Sequence, residues 1–89
     1  MNYMDMILGE KRTISLLVTS LDEAPFSIKN ASYQLKLGDE VEDEGTAIID
    51  EQSLIVNISP KMVGRYILEF VMQIADEIVI RRFRIYVRE

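Results

Sequence analysis

The 89-residue chain has no cysteine, no histidine and no tryptophan, and it carries only two prolines and four glycines. Lacking cysteine, it has no disulfide framework; packing must hold the fold, which suits assembly in a reducing cytoplasm. Without histidine or cysteine the commonest general base and the best nucleophile are gone, leaving a carboxylate pair, or Ser with Lys, as the remaining catalytic options. No apolar run approaches the ~20 residues of a membrane-spanning helix. Met1 to Leu8 alternates polar and apolar residues without a basic start or an apolar core, so no signal peptide is expected. The formal net charge of −5 argues against a general nucleic-acid binder, and neither nucleic acid nor membrane is an expected partner.

What is present is a hydrophobic content of 48%, enough for one core in one domain spanning residues 1–89. Apolar residues recur with a period of two nearly throughout, the mark of strands with one buried face. Residues 1–9 read as a first strand or a flexible arm, with Met4, Met6 and Leu8 in phase. Thr13 to Thr19 places Ile14, Leu16 and Val18 on one face. Leu21 to Pro25 reads as a loop, because Pro25 fixes its own φ and biases Ala24 away from helix. Phe26 and Ile28 restart the pattern and Lys29-Asn30 interrupts it. Ala31, Tyr33, Leu35 and Leu37 then share a face. Gly38 to Gly45, with its five acids, reads as a solvated loop in which Glu42→Ala should be nearly neutral; a short strand at Thr46 to Asp50 follows.

Ser53 to Ile58 and Tyr66 to Met72 read as two strands joined by a Pro- and Gly-bearing connection. A hairpin of about 66–75 and 78–88 closes the chain across Asp76-Glu77, with Tyr66, Leu68, Phe70, Met72 and Ile74 inward. On its second strand Ile78 and Ile80 are out of phase with Phe83, Ile85 and Val87. That mismatch predicts a β-bulge around Arg81-Arg82. About seven short strands with regular turn signals point to an all-β fold, a single antiparallel sandwich.

Leu54, Gly64 and Tyr66 have the spacing of the corner in immunoglobulin-like domains, where a tyrosine hydroxyl bonds back to the backbone. Gly9 to Leu16 resembles that family's entry to its second strand and Ala31 to Leu35 its third, with Tyr33 where many members carry a core tryptophan. The resemblance implies an immunoglobulin-like β-sandwich with Gly64 and Tyr66 as its structural corner. Leu68 stands at the disulfide position, facing Leu16 or Leu17, and Met62 stands where the family has a bracing acid. In style, a cysteine-free sandwich ending in Phe83-Arg84-Ile85-Tyr86-Val87 is similar to accessory immunoglobulin-like modules of bacteriophage tail and virion proteins.

Candidate sites are few. Glu40, Glu42, Glu44 and Glu51 fall at calcium-loop positions one, three, five and twelve around Gly45. Long glutamates in place of Asp/Asn, Ile48 at position nine and the lack of flanking helices argue for a plain loop, so no metal and no cofactor are expected. No catalytic residue is assigned: the acids crowd one segment instead of facing across a cleft, and Ser59-Pro60-Lys61 reads as turn chemistry. Charge is polarised, with four basic and eleven acidic side chains in residues 1–60 and six basic and four acidic in 61–89. Arg82, Arg84 and Arg88 beside Tyr86 form the candidate interface on the last strand, and acidic and basic regions on different copies permit head-to-tail self-association. The functional expectation is a non-enzymatic structural or protein-interaction module of a phage or prophage particle. The alternative is a bacterial surface adhesion or ligand-binding module, and a small enzyme ranks third.

Overall fold

A computed structural model describes residues 3–19 and 26–89; the expected loop at Leu21 to Pro25 lies outside the described residues. Among the described residues eight strands appear, where the sequence predicts about seven: β1 (Tyr3–Ile7), β2 (Arg12–Leu17), β3 (Ile28–Leu37), β4 (Glu40–Thr46), β5 (Ile48–Asp50), β6 (Ser53–Ile58), β7 (Gly64–Ile74) and β8 (Glu77–Arg88). A five-stranded sheet of order β1-β8-β7-β3-β4 faces a three-stranded sheet of order β2-β6-β5. The fold is an all-β sandwich of these two sheets. It is antiparallel apart from one pair, β1 with β8, which runs parallel. A parallel neighbour is reached by a crossover through the other sheet, so local alternation could not reveal it.

The period of two fixes the core. Ile14, Leu54, Val56 and Ile58 of the small sheet meet Ala31, Leu35, Tyr66, Leu68, Phe70, Met72, Ile85 and Val87 of the large one, with Met6 from β1. Leu68 is fully buried; of the two leucines expected opposite it, Leu16 packs against the core while Leu17 is exposed. Tyr33 is only half-buried at the margin, and Leu35 holds the central place on β3. At about 3.4 Å per residue, the 11 and 12 residues of β7 and β8 set the 43 Å long axis of the molecule.

The expected bulge on the last strand is absent. Pairing of β7 with β8 is continuous from Ile74↔Glu77 to Gly64↔Val87, running through Glu69↔Arg82 and Phe70↔Arg81. The inward set of β8 is therefore Val79, Arg81, Phe83, Ile85 and Val87, and Ile78 and Ile80 face out, 62% and 44% exposed. Only Ile85 and Val87 are buried, so the small sheet covers just the C-terminal half of β8. Without cover, burial no longer dictates phase, and the register follows from the backbone ladder.

Irregularities occur instead in β3 and β4. Lys29 is passed over between Ile28↔Ile74 and Asn30↔Gln73, which accounts for the interruption seen in the sequence. The acidic segment is a strand and not a loop: after a turn at Gly38 (φ 62), β4 pairs along β3. Its register slips between Leu35↔Asp43 and Lys36↔Val41, leaving Glu42 as an extra residue. That slip turns a glutamate toward the interior.

Candidate functional site

At the corner, Tyr66 is 1% exposed. Its hydroxyl accepts a hydrogen bond from the Met62 N–H at 3.2 Å and donates one to Glu42 Oε1 at 2.6 Å. The same carboxylate accepts from the Lys61 N–H at 3.3–3.4 Å. The tyrosine thus bonds backbone four residues upstream, and the brace missing at Met62 comes from β4 instead. Gly64 enters β7 at φ 152, a value that favours glycine, and a Cβ there would lie 2.9 Å from Leu37 Cδ1. Burial first, and then the bond to Glu42, pushes the Tyr66 phenol up to about 12. Beside it, Tyr33 donates to Asp43 Oδ2 at 3.2 Å, and burial followed by the Asp43 charge raises its phenol as well.

Glu42 and Asp43 also line a shallow hollow of about 240 Å³ with Lys11, Asn57, Ser59 and Lys61. The two acids are consecutive residues of one strand, and both are engaged by tyrosine hydroxyls, an arrangement that braces β4 and does not set two carboxyls across a cleft. The calcium-loop candidates do not converge. Glu40, Glu42 and Glu44 are strung along β4, while Glu51 sits in the β5–β6 turn of the other sheet at φ 56. Among the described residues no three acids gather as a cation site. A strand places successive carboxylates about 3.3 Å apart along its axis and on alternating faces, whereas a calcium loop wraps them around one point.

The interface candidates Arg82, Arg84, Tyr86 and Arg88 do share a face, the outer face of the five-stranded sheet, because all are even-numbered positions of an unbulged β8. Tyr86 is the centre. Tyr3 of β1 meets its ring edge-on at 5.7 Å, and the Arg65 guanidinium of β7 lies 5.9 Å from the ring centroid. Arg88 pairs with Asp5 at 3.2 Å. Arg82 Nε donates to Glu69 Oε2 at 2.8 Å, with Lys36 Nζ 3.6 Å from the other oxygen. Arg84 forms no ion pair among the described residues. Tyr3, Arg65 and Lys36 escaped the sequence reading because their neighbours belong to other strands. Arg65 had a local signal, since it alternates with Tyr66 and so faces opposite to the core.

The bond from Arg82, aided by the charge of Lys36, holds the Glu69 carboxyl below its ordinary 4.5. A carboxyl depressed on folding stabilises the native state above its unfolded pKa, and that contribution fades as pH falls through the folded value. Glu69→Gln should therefore flatten the acid limb of stability against pH below about 4.5, measured by urea denaturation across pH 3–7. Arg82→Ala should cost only about 0.2–1 kcal/mol, since that guanidinium is well solvated; an unchanged acid limb in Glu69→Gln would count against the pairing.

No protein-family model and no curated protein matches the chain. Among solved structures, it is similar to part of an engineered protein, with a TM-score of 0.78 at 11% identity over 99% of this chain and 18% of that one. It is also similar to part of a "putative glycoside hydrolase" from Bacteroides vulgatus, with a TM-score of 0.51 at 16% identity over 96% of this chain and 16% of that one. At such identities the likeness is one of fold alone. The chain spans less than a fifth of either neighbour. Among the described residues no helix is long and apolar enough to cross a membrane.

Proposed function

We propose that this chain is a non-enzymatic structural or protein-interaction module that docks an acidic protein surface against the outer face of its larger sheet. One observation carries the reading: Arg65, Arg84 and Arg88 share the outer face with Tyr3 and Tyr86 on three adjacent strands, and Arg84 has no carboxylate partner among the described residues. Arginine and tyrosine are the residues that concentrate binding energy at interfaces, because each combines a broad apolar or planar surface with a directed polar group. The resemblance to cysteine-free immunoglobulin-like modules of bacteriophage tails favours a phage or prophage particle as the setting. A bacterial surface adhesion or ligand-binding module is the alternative, supported by neighbours in which this fold is under a fifth of a longer chain.

Gene neighbourhood separates the two, since head and tail genes on either side favour the particle. The products of those neighbours then supply the binding panel. The double variant Arg84→Ala/Tyr86→Ala should weaken the cognate interaction by about 30-fold or more, the loss of a hot spot worth about 2 kcal/mol. A partner whose affinity ignores both substitutions would refute this face as the docking surface.

A further inference from the structure

The two margins of the five-stranded sheet are unlike each other. At one, β1 pairs only with Arg84 to Arg88 of β8, and among the described residues nothing pairs with the outer edge of β8 from Glu77 to Phe83. The Arg88 carbonyl accepts from the Leu8 N–H on the β1 side. In an antiparallel ladder, residues alternate between the two sides, so Ile78, Ile80 and Arg82 direct their N–H and C=O groups to that same open edge, where the Ile80 carbonyl accepts from the Arg81 guanidinium at 3.0 Å. The segment has no proline, reads Ile-Val-Ile at residues 78–80, and carries Arg81 and Arg82. At the other margin, β4 exposes a seven-residue edge that includes Glu40, Glu42, Asp43 and Glu44.

We infer that the open edge of β8 in one copy pairs with the acidic edge of β4 in a second copy, joining five-stranded sheets head to tail. Direction, length and charge all agree. Three antiparallel steps separate β8 from β4 through β7 and β3, so a second copy in the same orientation brings β4 antiparallel to β8. The free stretch of β8, residues 77–83, matches the seven residues of β4. Two β4 edges repel each other through their carboxylates, and two β8 edges oppose arginines, which leaves the unlike pairing as the favoured one. Because the two surfaces differ, each added copy presents the edge just used, and the association is open-ended. This surface is separate from the Arg84–Tyr86 face.

Sedimentation velocity tests the inference. The average mass of the native chain should rise with concentration and fall between about 0.1 and 1 M salt, as the Debye length shrinks from about 10 to about 3 Å. Ile80→Pro removes an edge N–H where a fold tolerates proline, and Glu40→Lys/Glu44→Lys reverses the β4 edge without touching a side-chain hydrogen bond among the described residues. Each variant alone should be monomeric, with self-affinity weakened about tenfold or more. Mixed, they should form a 1:1 dimer and nothing larger, since one intact β8 edge and one intact β4 edge remain. A native chain that stays monomeric at high concentration and low salt overturns the inference, as does association undiminished in the β4 variant, which carries the test by itself should Ile80→Pro unfold. Arg84→Ala/Tyr86→Ala should leave self-association unchanged, so failure here and failure of the docking face are read separately.

Discussion

Replacing Phe70 by alanine is expected to cost about 3–5 kcal/mol and to lower the melting temperature by about 15–30 °C. Phe70 is 1% exposed in the middle of β7, between Leu68 and Met72, which are fully buried. Its removal forfeits the transfer energy of an aromatic ring and leaves a void between two sheets that their own backbone ladders keep from collapsing fully into it. A domain of this size has roughly 4–13 kcal/mol in total, and no disulfide shares the load. The variant should therefore be largely unfolded at physiological temperature, with Leu68→Ala close behind. Thermal melts followed by circular dichroism measure it, with Ile78→Ala as the control. Ile78 is a large aliphatic on the same sheet but 62% exposed, and its truncation should stay within about 0.5 kcal/mol. Equal losses in the two variants would mean that the core has been misplaced.

Disabling the corner is the second large effect. Tyr66→Phe keeps the ring but leaves the Glu42 carboxylate half-buried with only the Lys61 N–H, and it strips the Met62 N–H of its acceptor; the expected cost is about 1–3 kcal/mol. Glu42→Ala should cost a similar amount, in place of the near-neutrality that a solvated loop would give. The two losses should not add in a double-mutant cycle, because each variant removes the same bond. Alkali gives an independent readout. The phenol is neutral while protonated, and the folded state holds that proton up to about 12 against an ordinary 10. Its contribution is therefore complete below pH 10 and drains away as pH climbs from 10 to about 12, where the unfolded chain ionises first. The native protein should lose stability across that window more steeply than Tyr66→Phe; parallel curves would remove the hydroxyl from the account.

The reach of the sequence follows from the range of each interaction. Alternation on β2, β3 and β7 identified the inward residues, because each of those strands is covered on one face and period-two patterning records that cover directly. The corner tyrosine was legible for the same reason: Leu54, Gly64 and Tyr66 sit close together along the chain. Even the irregularity at Lys29 showed as a broken phase. On β8 the same rule misled, because beyond Phe83 toward the hairpin tip neither face is well covered and apolar residues carry no directional information. The acids of β4 misled differently. Composition read them as solvated loop, yet an exposed edge strand tolerates charge and uses it to discourage pairing with its own kind.

Sequence alone determined a cysteine-free, all-β domain with its core along β6 and β7 and its tyrosine at the turn between them, since those features depend on residues within about a dozen positions. Tertiary structure decided the rest. Only the slipped register against β3 brings Glu42, 24 residues away, to the Tyr66 hydroxyl. Only the crossover of β1 to a parallel place beside β8 sets Tyr3 against Tyr86 and, among the described residues, leaves 77–83 as an open edge. Strand pairing between distant segments is a choice among many sterically equivalent ladders, and it is burial of the whole core that selects one of them.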